Sequence, residues 1–153
     1  MPNTYTQIYI QYVFAVKNRE NRIKPENNNE LQKYITGIVT KRKCKMLAIN
    51  NMPDHVHILI GLNPTYSVSK LIQEIKAISS GFINDKVWMR NKFNWQTGYG
   101  AFSYSGSQID AVINYINNQQ KHHIKKSFKE EYLEFLEKFN IEYDNKYLFE
   151  FYE

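Results

Sequence analysis

Between residues 5 and 16 the chain places Ile8, Ile10, Tyr12, Phe14 and Val16 at every second position, the period of a strand with a buried face. After a polar stretch containing Pro25 and Asn27-Asn28-Asn29, Leu31, Tyr34, Ile35, Ile38 and Val39 fall at helical spacing, predicting an amphipathic helix that ends near Lys43. Residues 46–50 and 55–62 read as two strands of a hairpin, joined by the turn-forming Asn51-Met52-Pro53-Asp54. Past Pro64, Val68, Leu71, Ile72, Ile75 and Ile78 return to helical spacing, with Ser67 as N-cap. Residues 99–105 alternate between Gly98 and Gly106 as a fourth strand. Ser107 is then expected to cap a third helix with the stripe Ile109, Val112, Ile113 and Ile116. A last helix carries Phe128, Tyr132, Phe135, Leu136 and Phe139 on one face.

Strand, helix, strand, strand, helix, strand is the order of an α+β fold, the ferredoxin-like split βαβ. It predicts an antiparallel sheet with helices on one face, plus C-terminal helices. Such a sheet hosts many functions, so only a site can choose among them.

The length of 153 residues and the 42% hydrophobic content suit a single domain over 1–153, with a core of about residues 5–125 and an acidic C-terminal helix and tail at about 126–153. No basic leader precedes an apolar stretch and no run of about 18 apolar residues occurs, so a soluble, cytoplasmic protein without membrane attachment is expected. The lone Cys44 excludes an internal disulfide and a cysteine-rich zinc site. The net charge of +5 conceals an asymmetry: residues 1–129 carry 18 Lys+Arg against 7 Asp+Glu, and residues 130–153 carry 2 against 8. A basic body suits a polyanion partner, although 16 Lys against 4 Arg is also what AT-rich coding produces. Lys41, Arg42, Lys43 and Lys45 form the densest basic cluster, and Lys121 opens a second one with Lys125, Lys126 and Lys129. Phosphate binding and solvated helix ends account for them equally well.

His55 and His57 are two apart on a predicted strand, so both imidazoles share a face while Val56 takes the other. The pair alone is as consistent with two ordinary satisfied histidines as with a half-built metal site. Along the third helix, Tyr115, Gln119 and His122 recur at i, i+4 and i+7 beside the apolar stripe. Gln119 could offer an amide oxygen as a third ligand, which places Tyr115 next to the metal. Asp54 could orient His55, or simply form the turn.

Three strings together carry a family resemblance: Met52-Pro53-Asp54-His55-Val56-His57-Ile58-Leu59-Ile60, Trp95-Gln96-Thr97-Gly98-Tyr99-Gly100-Ala101-Phe102-Ser103, and Tyr115-Ile116-Asn117-Asn118-Gln119. In this order the chain resembles the small HUH (His-hydrophobe-His) single-tyrosine transposases, the IS200-like family of peel-and-paste insertion sequences. The resemblance covers roughly residues 5 to 125. It implies that His55, His57 and Gln119 bind a divalent metal, Mg2+ or Mn2+, and that Tyr115 attacks DNA to form a covalent 5′-phosphotyrosine. It also implies single-stranded DNA with hairpin ends as partner, and a homodimer with active sites shared between subunits. Gly106 would then be a hinge before the tyrosine helix, or a plain turn glycine. A domesticated relative processing genomic palindromes is the near alternative. A non-catalytic RNA- or single-stranded DNA-binding module is the distant one.

Overall fold

The computed structural model describes residues 3–152. Four strands, β1 (Tyr9–Ala15), β2 (Lys45–Met52), β3 (His55–Gly61) and β4 (Gly100–Tyr104), form one antiparallel sheet in the order β2-β3-β1-β4. The helices α1 (Asn28–Lys41) and α2 (Val68–Lys86) make the two crossovers, which completes the expected split βαβ. Ser67 caps α2 by accepting from the Lys70 amide at 3.0 Å. Among the described residues, no helix is long and apolar enough to cross a membrane.

The sheet is covered on both faces. Tyr12, Phe14, Val16, Val56, Ile58 and Ile60 point to one side and pack with Leu31, Ile35, Leu71, Ile72 and Ile75 of α1 and α2. The opposite face carries Val13, Ala15, Leu59 and Phe102, and closes against α3 (Ile109–Asn117), α4 (Gln119–Lys125) and α5 (Phe128–Lys138). This is why β1 is buried along nearly its whole length, where the alternation of its largest side chains predicts one buried face. The residues between them, Val13 and Ala15, are apolar too, and the C-terminal helices cover them.

Two local differences from the sequence expectation bear on the site. The cap before α3 is Ser105 rather than Ser107: the Gln108 side chain accepts from the Ser105 amide at 3.0 Å, and a short 3-10 turn, Gly106–Gln108, precedes the α-helix. At Gly106 an added Cβ would lie 2.7 Å from the end of the exposed Gln7 side chain, which is free to move aside, so packing alone does not demand glycine there. The tyrosine helix is also not continuous. It breaks at Asn118 (φ −103°, ψ 20°), separating α3 from α4. Carbonyls at the break find a side-chain donor: Asn50 Nδ2 of β2 donates to Ile116 O at 2.9 Å and to Gln120 Oε1 at 2.8 Å.

The segment entering β4 is tied down by its own motif. Trp95 is buried edge-on against Phe14 and Phe93 and donates to Ser79 Oγ at 3.0 Å. Gln96 donates to the carbonyls of Val16 and Glu150 at 2.9 Å and accepts from the Glu150 amide at 2.7 Å. One side chain thereby clamps the C-terminal segment to the end of β1. We expect Gln96→Ala to speed amide exchange at Glu150 and to lower stability by about 1–3 kcal/mol in urea unfolding, because buried partners are left unpaired. Unchanged protection at Glu150 would count against this clamp.

Candidate active site

The β1–β3–β2 register sets His57 opposite Val13 and Asn50, and His55 opposite Ala15 and Met52. Both imidazoles therefore point to the face that α3, α4 and α5 cover, and both are almost fully buried, at 1% and 0% exposure. The His55 ring lies flat on Phe128 of α5, with centroids 3.8 Å apart and planes 2° apart. Neutral or charged, a buried imidazole needs partners for both nitrogens.

Those partners come from every surrounding element. Asp54 Oδ1 accepts from His55 Nδ1 at 2.7 Å, so the turn aspartate does orient the first histidine. His57 Nδ1 meets the Gln11 amide at 3.0 Å, and Gln11 in turn accepts from Tyr104 Oη at 2.7 Å. Gln119, fully buried at the start of α4, puts its Oε1 3.4 Å from His55 Nε2 and 2.9 Å from His123 Nε2. The structure thus brings His55, His57, Gln119 and Tyr115 into one cluster, across the break at Asn118.

Its centre is a residue that the sequence reading did not single out. Glu131, on the inner face of α5 and 2% exposed, places Oε1 3.0 Å from His57 Nε2, 3.3 Å from His123 Nε2 and 3.5 Å from His55 Nε2. Its other oxygen accepts from Tyr115 Oη, and from Gln119 Nε2 at 3.0 Å. Burial works against the charge on this carboxylate. The surrounding imidazoles of His57, His123 and His55 outweigh it and hold the acid far below the usual carboxylate range. His55 shows the reciprocal balance: burial opposes its charge, but Asp54 and Glu131 prevail and raise its pKa. For His57 burial wins and the pKa falls. Burial, the Glu131 charge and the Glu131 hydrogen bond all push the Tyr115 phenol up, so it stays protonated at neutral pH.

Tyr115 is half-buried, with His122 Nε2 3.3 Å from its hydroxyl. A cleft of about 460 Å³ between α3 and α5 is lined by Tyr115, Tyr104 and His122, with the buried Gln11 and Glu131 at its base. Adjoining it along α3 and α4, and sharing Tyr115 and His122, a more open groove of about 610 Å³ is lined also by Lys121 and Lys125. Lys121 therefore lies beside the tyrosine. Lys41, Arg42, Lys43 and Lys45 do not: Lys45 pairs with Gly61 at the far end of β3 from His55, roughly 20 Å away at strand rise. Arg42 is also bound to Glu74 and to the Ile38 carbonyl. Trp95 and Phe102 are core residues.

The cluster fits a metal on the chemistry of its donors. His55 spends its Nδ1 proton on a carboxylate, and His123 spends its own on the Lys126 carbonyl at 2.8 Å. In the neutral rings both Nε2 atoms are then bare lone pairs, and both face the Gln119 and Glu131 oxygens. Donor atoms of His55, His57, His123 and Glu131 all lie within 4.8 Å of one another. Imidazoles whose second nitrogen is hydrogen-bonded outward are the usual form of metal-ligating histidine.

A family model described as "Transposase IS200 like" matches residues 4–119. The ISDra2 transposase TnpA of Deinococcus radiodurans is 22% identical over 120 residues, covering 74% of this chain and 84% of that protein. A crystal structure of a candidate transposase from Deinococcus radiodurans superposes with a TM-score of 0.61 at 21% identity, covering 78% of this chain and 95% of that one. The structure of a REP-associated tyrosine transposase bound to a REP hairpin superposes with a TM-score of 0.60 at 16% identity, covering 80% and 73% respectively. At these identities the two structures speak to the fold.

The packing of α5 makes an accessibility prediction. Diethyl pyrocarbonate should modify His122 and spare His55 and His57 in the intact protein, and Phe128→Ala should bring His55 into reaction. Peptide mass spectrometry reads the sites; modification of His55 at the rate of His122 in the unaltered protein would contradict the buried arrangement.

Proposed function

The chain belongs to the IS200-like transposase family, and from that premise we propose that it cuts and rejoins single-stranded DNA at hairpin-bearing ends through a covalent bond to Tyr115. The observation that carries this reading is the convergence of a tyrosine on the wall of an open cleft with a buried histidine pair and the Gln119 amide behind it, all joined through Glu131. His55, His57 and Gln119 would hold a divalent metal, Mg2+ or Mn2+. When bound, it supplies positive charge to a non-bridging phosphate oxygen as negative charge grows there.

The remaining parts belong to the chain itself. The Tyr115 oxygen attacks phosphorus, the bond from phosphorus to the 3′ oxygen breaks, and that oxygen leaves as a 3′-hydroxyl after gaining a proton. The phenolic proton already faces an acceptor, Glu131 Oε2. Phosphotyrosine keeps a phosphodiester's bond energy, so a different 3′-hydroxyl can reverse the attack and join a new strand. A single chain supplies tyrosine and histidines together, which favours cleavage in cis. A homodimer that shares sites would require α3 and α4 to leave this position. The reading treats the whole chain as one functional domain, since α5 covers the histidines.

The hairpin-bearing substrate is supported by the structural neighbour bound to a REP hairpin. A domesticated processor of genomic palindromes would use the same chemistry. The sheet-face RNA-binding alternative lacks support, because helices cover both faces of the sheet.

Labelled single-stranded DNA with hairpin ends, incubated with magnesium or manganese, should give a denaturation-resistant adduct. Tyr115→Phe should abolish it, and the His55→Ala/His57→Ala double variant should cut about a hundred-fold more slowly or worse. An adduct that survives in Tyr115→Phe sinks the nucleophile assignment. Lys121→Ala should weaken DNA binding across sequences and lower the salt slope by about 1, whereas Lys45→Ala should do neither. Filter binding over a salt series checks this, and equal effects of the two variants would remove the groove beside Tyr115 as the DNA path.

A further inference from the structure

We propose that Glu131 and His123 are ligands of the same metal as His55, His57 and Gln119, so that three imidazoles and a carboxylate make the centre selective for a first-row transition ion over magnesium. The inference deepens the nuclease reading and rests on its metal.

With the imidazoles neutral, the geometry leaves a gap among acceptor atoms that a metal ion or a proton would fill. His123 Nδ1 faces the Lys126 carbonyl, which can only accept, so the proton of the neutral ring is on Nδ1 and Nε2 is bare. That lone pair stands 2.9 Å from Gln119 Oε1 and 3.3 Å from Glu131 Oε1. Turning the Gln119 amide over does not help. Its oxygen would then stand 3.0 Å from Glu131 Oε2, moving the mismatch from one acceptor to another. His55 repeats the pattern: Asp54 fixes its proton on Nδ1, and Nε2 faces Gln119 Oε1 at 3.4 Å and Glu131 Oε1 at 3.5 Å. Four acceptor atoms thus converge on one buried point. His57 joins them after a half-turn of Gln11, which Tyr104 permits because its hydroxyl can accept as well as donate.

The spacings also match a coordination shell. Ligands about 2.1 Å from a common ion stand about 3.0 Å apart in an octahedron and about 3.4 Å apart in a tetrahedron. Five of the separations, 2.9, 3.0, 3.3, 3.4 and 3.5 Å, lie in or beside that range, which hydrogen bonds also span, and the donor atoms of His55, His57, His123 and Glu131 lie within 4.8 Å of one another, so binding an ion would draw them slightly together. Charge is compatible as well: Glu131 and the Asp54 carboxylate bound to His55 together offset the two charges of a divalent ion. Three imidazoles favour transition ions, whereas magnesium prefers oxygen and water. Glu131 also accepts from Tyr115 with its second oxygen. One carboxylate would therefore fix the distance between ion and nucleophile.

The test titrates the intact protein with Mn(II), following loss of the free-ion electron paramagnetic resonance signal, and then with Mg(II) in competition. It is run at a pH where free imidazole is neutral, because a proton could fill the same place. The wild type should bind one Mn(II) per chain, and excess Mg(II) should displace it poorly. Glu131→Gln and His123→Gln should each weaken Mn(II) by about ten-fold or more. Circular dichroism reports folding, and His123→Gln, at a less buried position, keeps the test valid should Glu131→Gln unfold. Wild-type Mn(II) affinity in folded His123→Gln and Glu131→Gln overturns the inference, and faster DNA cleavage in that same Glu131→Gln protein would mark the carboxylate as a block instead. Weakened Mn(II) binding in a protein that never forms the Tyr115 adduct supports the centre while rejecting the nuclease. A Tyr115 adduct with unaltered Mn(II) affinity in both variants does the reverse.

Discussion

A carboxylate buried at 2% exposure must be compensated where it stands, and in this protein the compensation of Glu131 organises everything around the histidine pair. Its partners come from three elements, His55 and His57 from β3, Tyr115 from α3, and Gln119 and His123 from α4, while α5 supplies the carboxylate itself. None of these elements can shift without leaving a buried charge or polar group unpaired, which costs more than a lost surface contact. The network therefore holds the C-terminal helices in register with the sheet, in addition to the apolar packing of Phe128, Phe135 and Leu136.

The break at Asn118 has the same logic. A straight helix through residues 109–125 would carry Gln119 and His122 along the axis set by Tyr115. Asn118 departs from helical geometry between the two halves, and Asn50 ties the junction to the sheet by donating to the carbonyl of Ile116 and to Gln120. Tyr115 and Gln119 reach the histidines from two separate short helices.

The sequence was legible where one periodicity decided the outcome. His55 and His57 share a face because a strand alternates, and the four strands and two crossover helices follow from patterns of period two and helical spacing. Tyr115 and Gln119 fell together because one helical turn separates them, even though the helix breaks between them. The break left no pattern, since it depends on Asn50, far away in the chain. Glu131 was missed for a different reason. Counted with seven other acids after residue 129, it looked like part of a solvated acidic tail. Its position held the signal: three residues after Phe128 and four before Phe135, it lies about 60° from Phe128, at the margin of the apolar arc. An acid at such a margin asks for a buried partner, and here the partners are histidines on another strand.

The tail's charge consequently has to be divided. Glu134 pairs with Lys126, and Glu131 is enclosed by imidazoles, so neither adds to a field that would repel DNA at long range. At short range Glu131 matters greatly. A phosphodiester that reaches Tyr115 brings a second negative charge up to the first, in a cleft walled by Val112 and Phe135 where screening is weak. Lys121 stands on the adjoining groove, and the histidines have only their protons to offer. In the proposed reaction, a phosphate brought to Tyr115 would therefore need a positive charge between it and this carboxylate. The divalent ion proposed for this cluster would supply that charge.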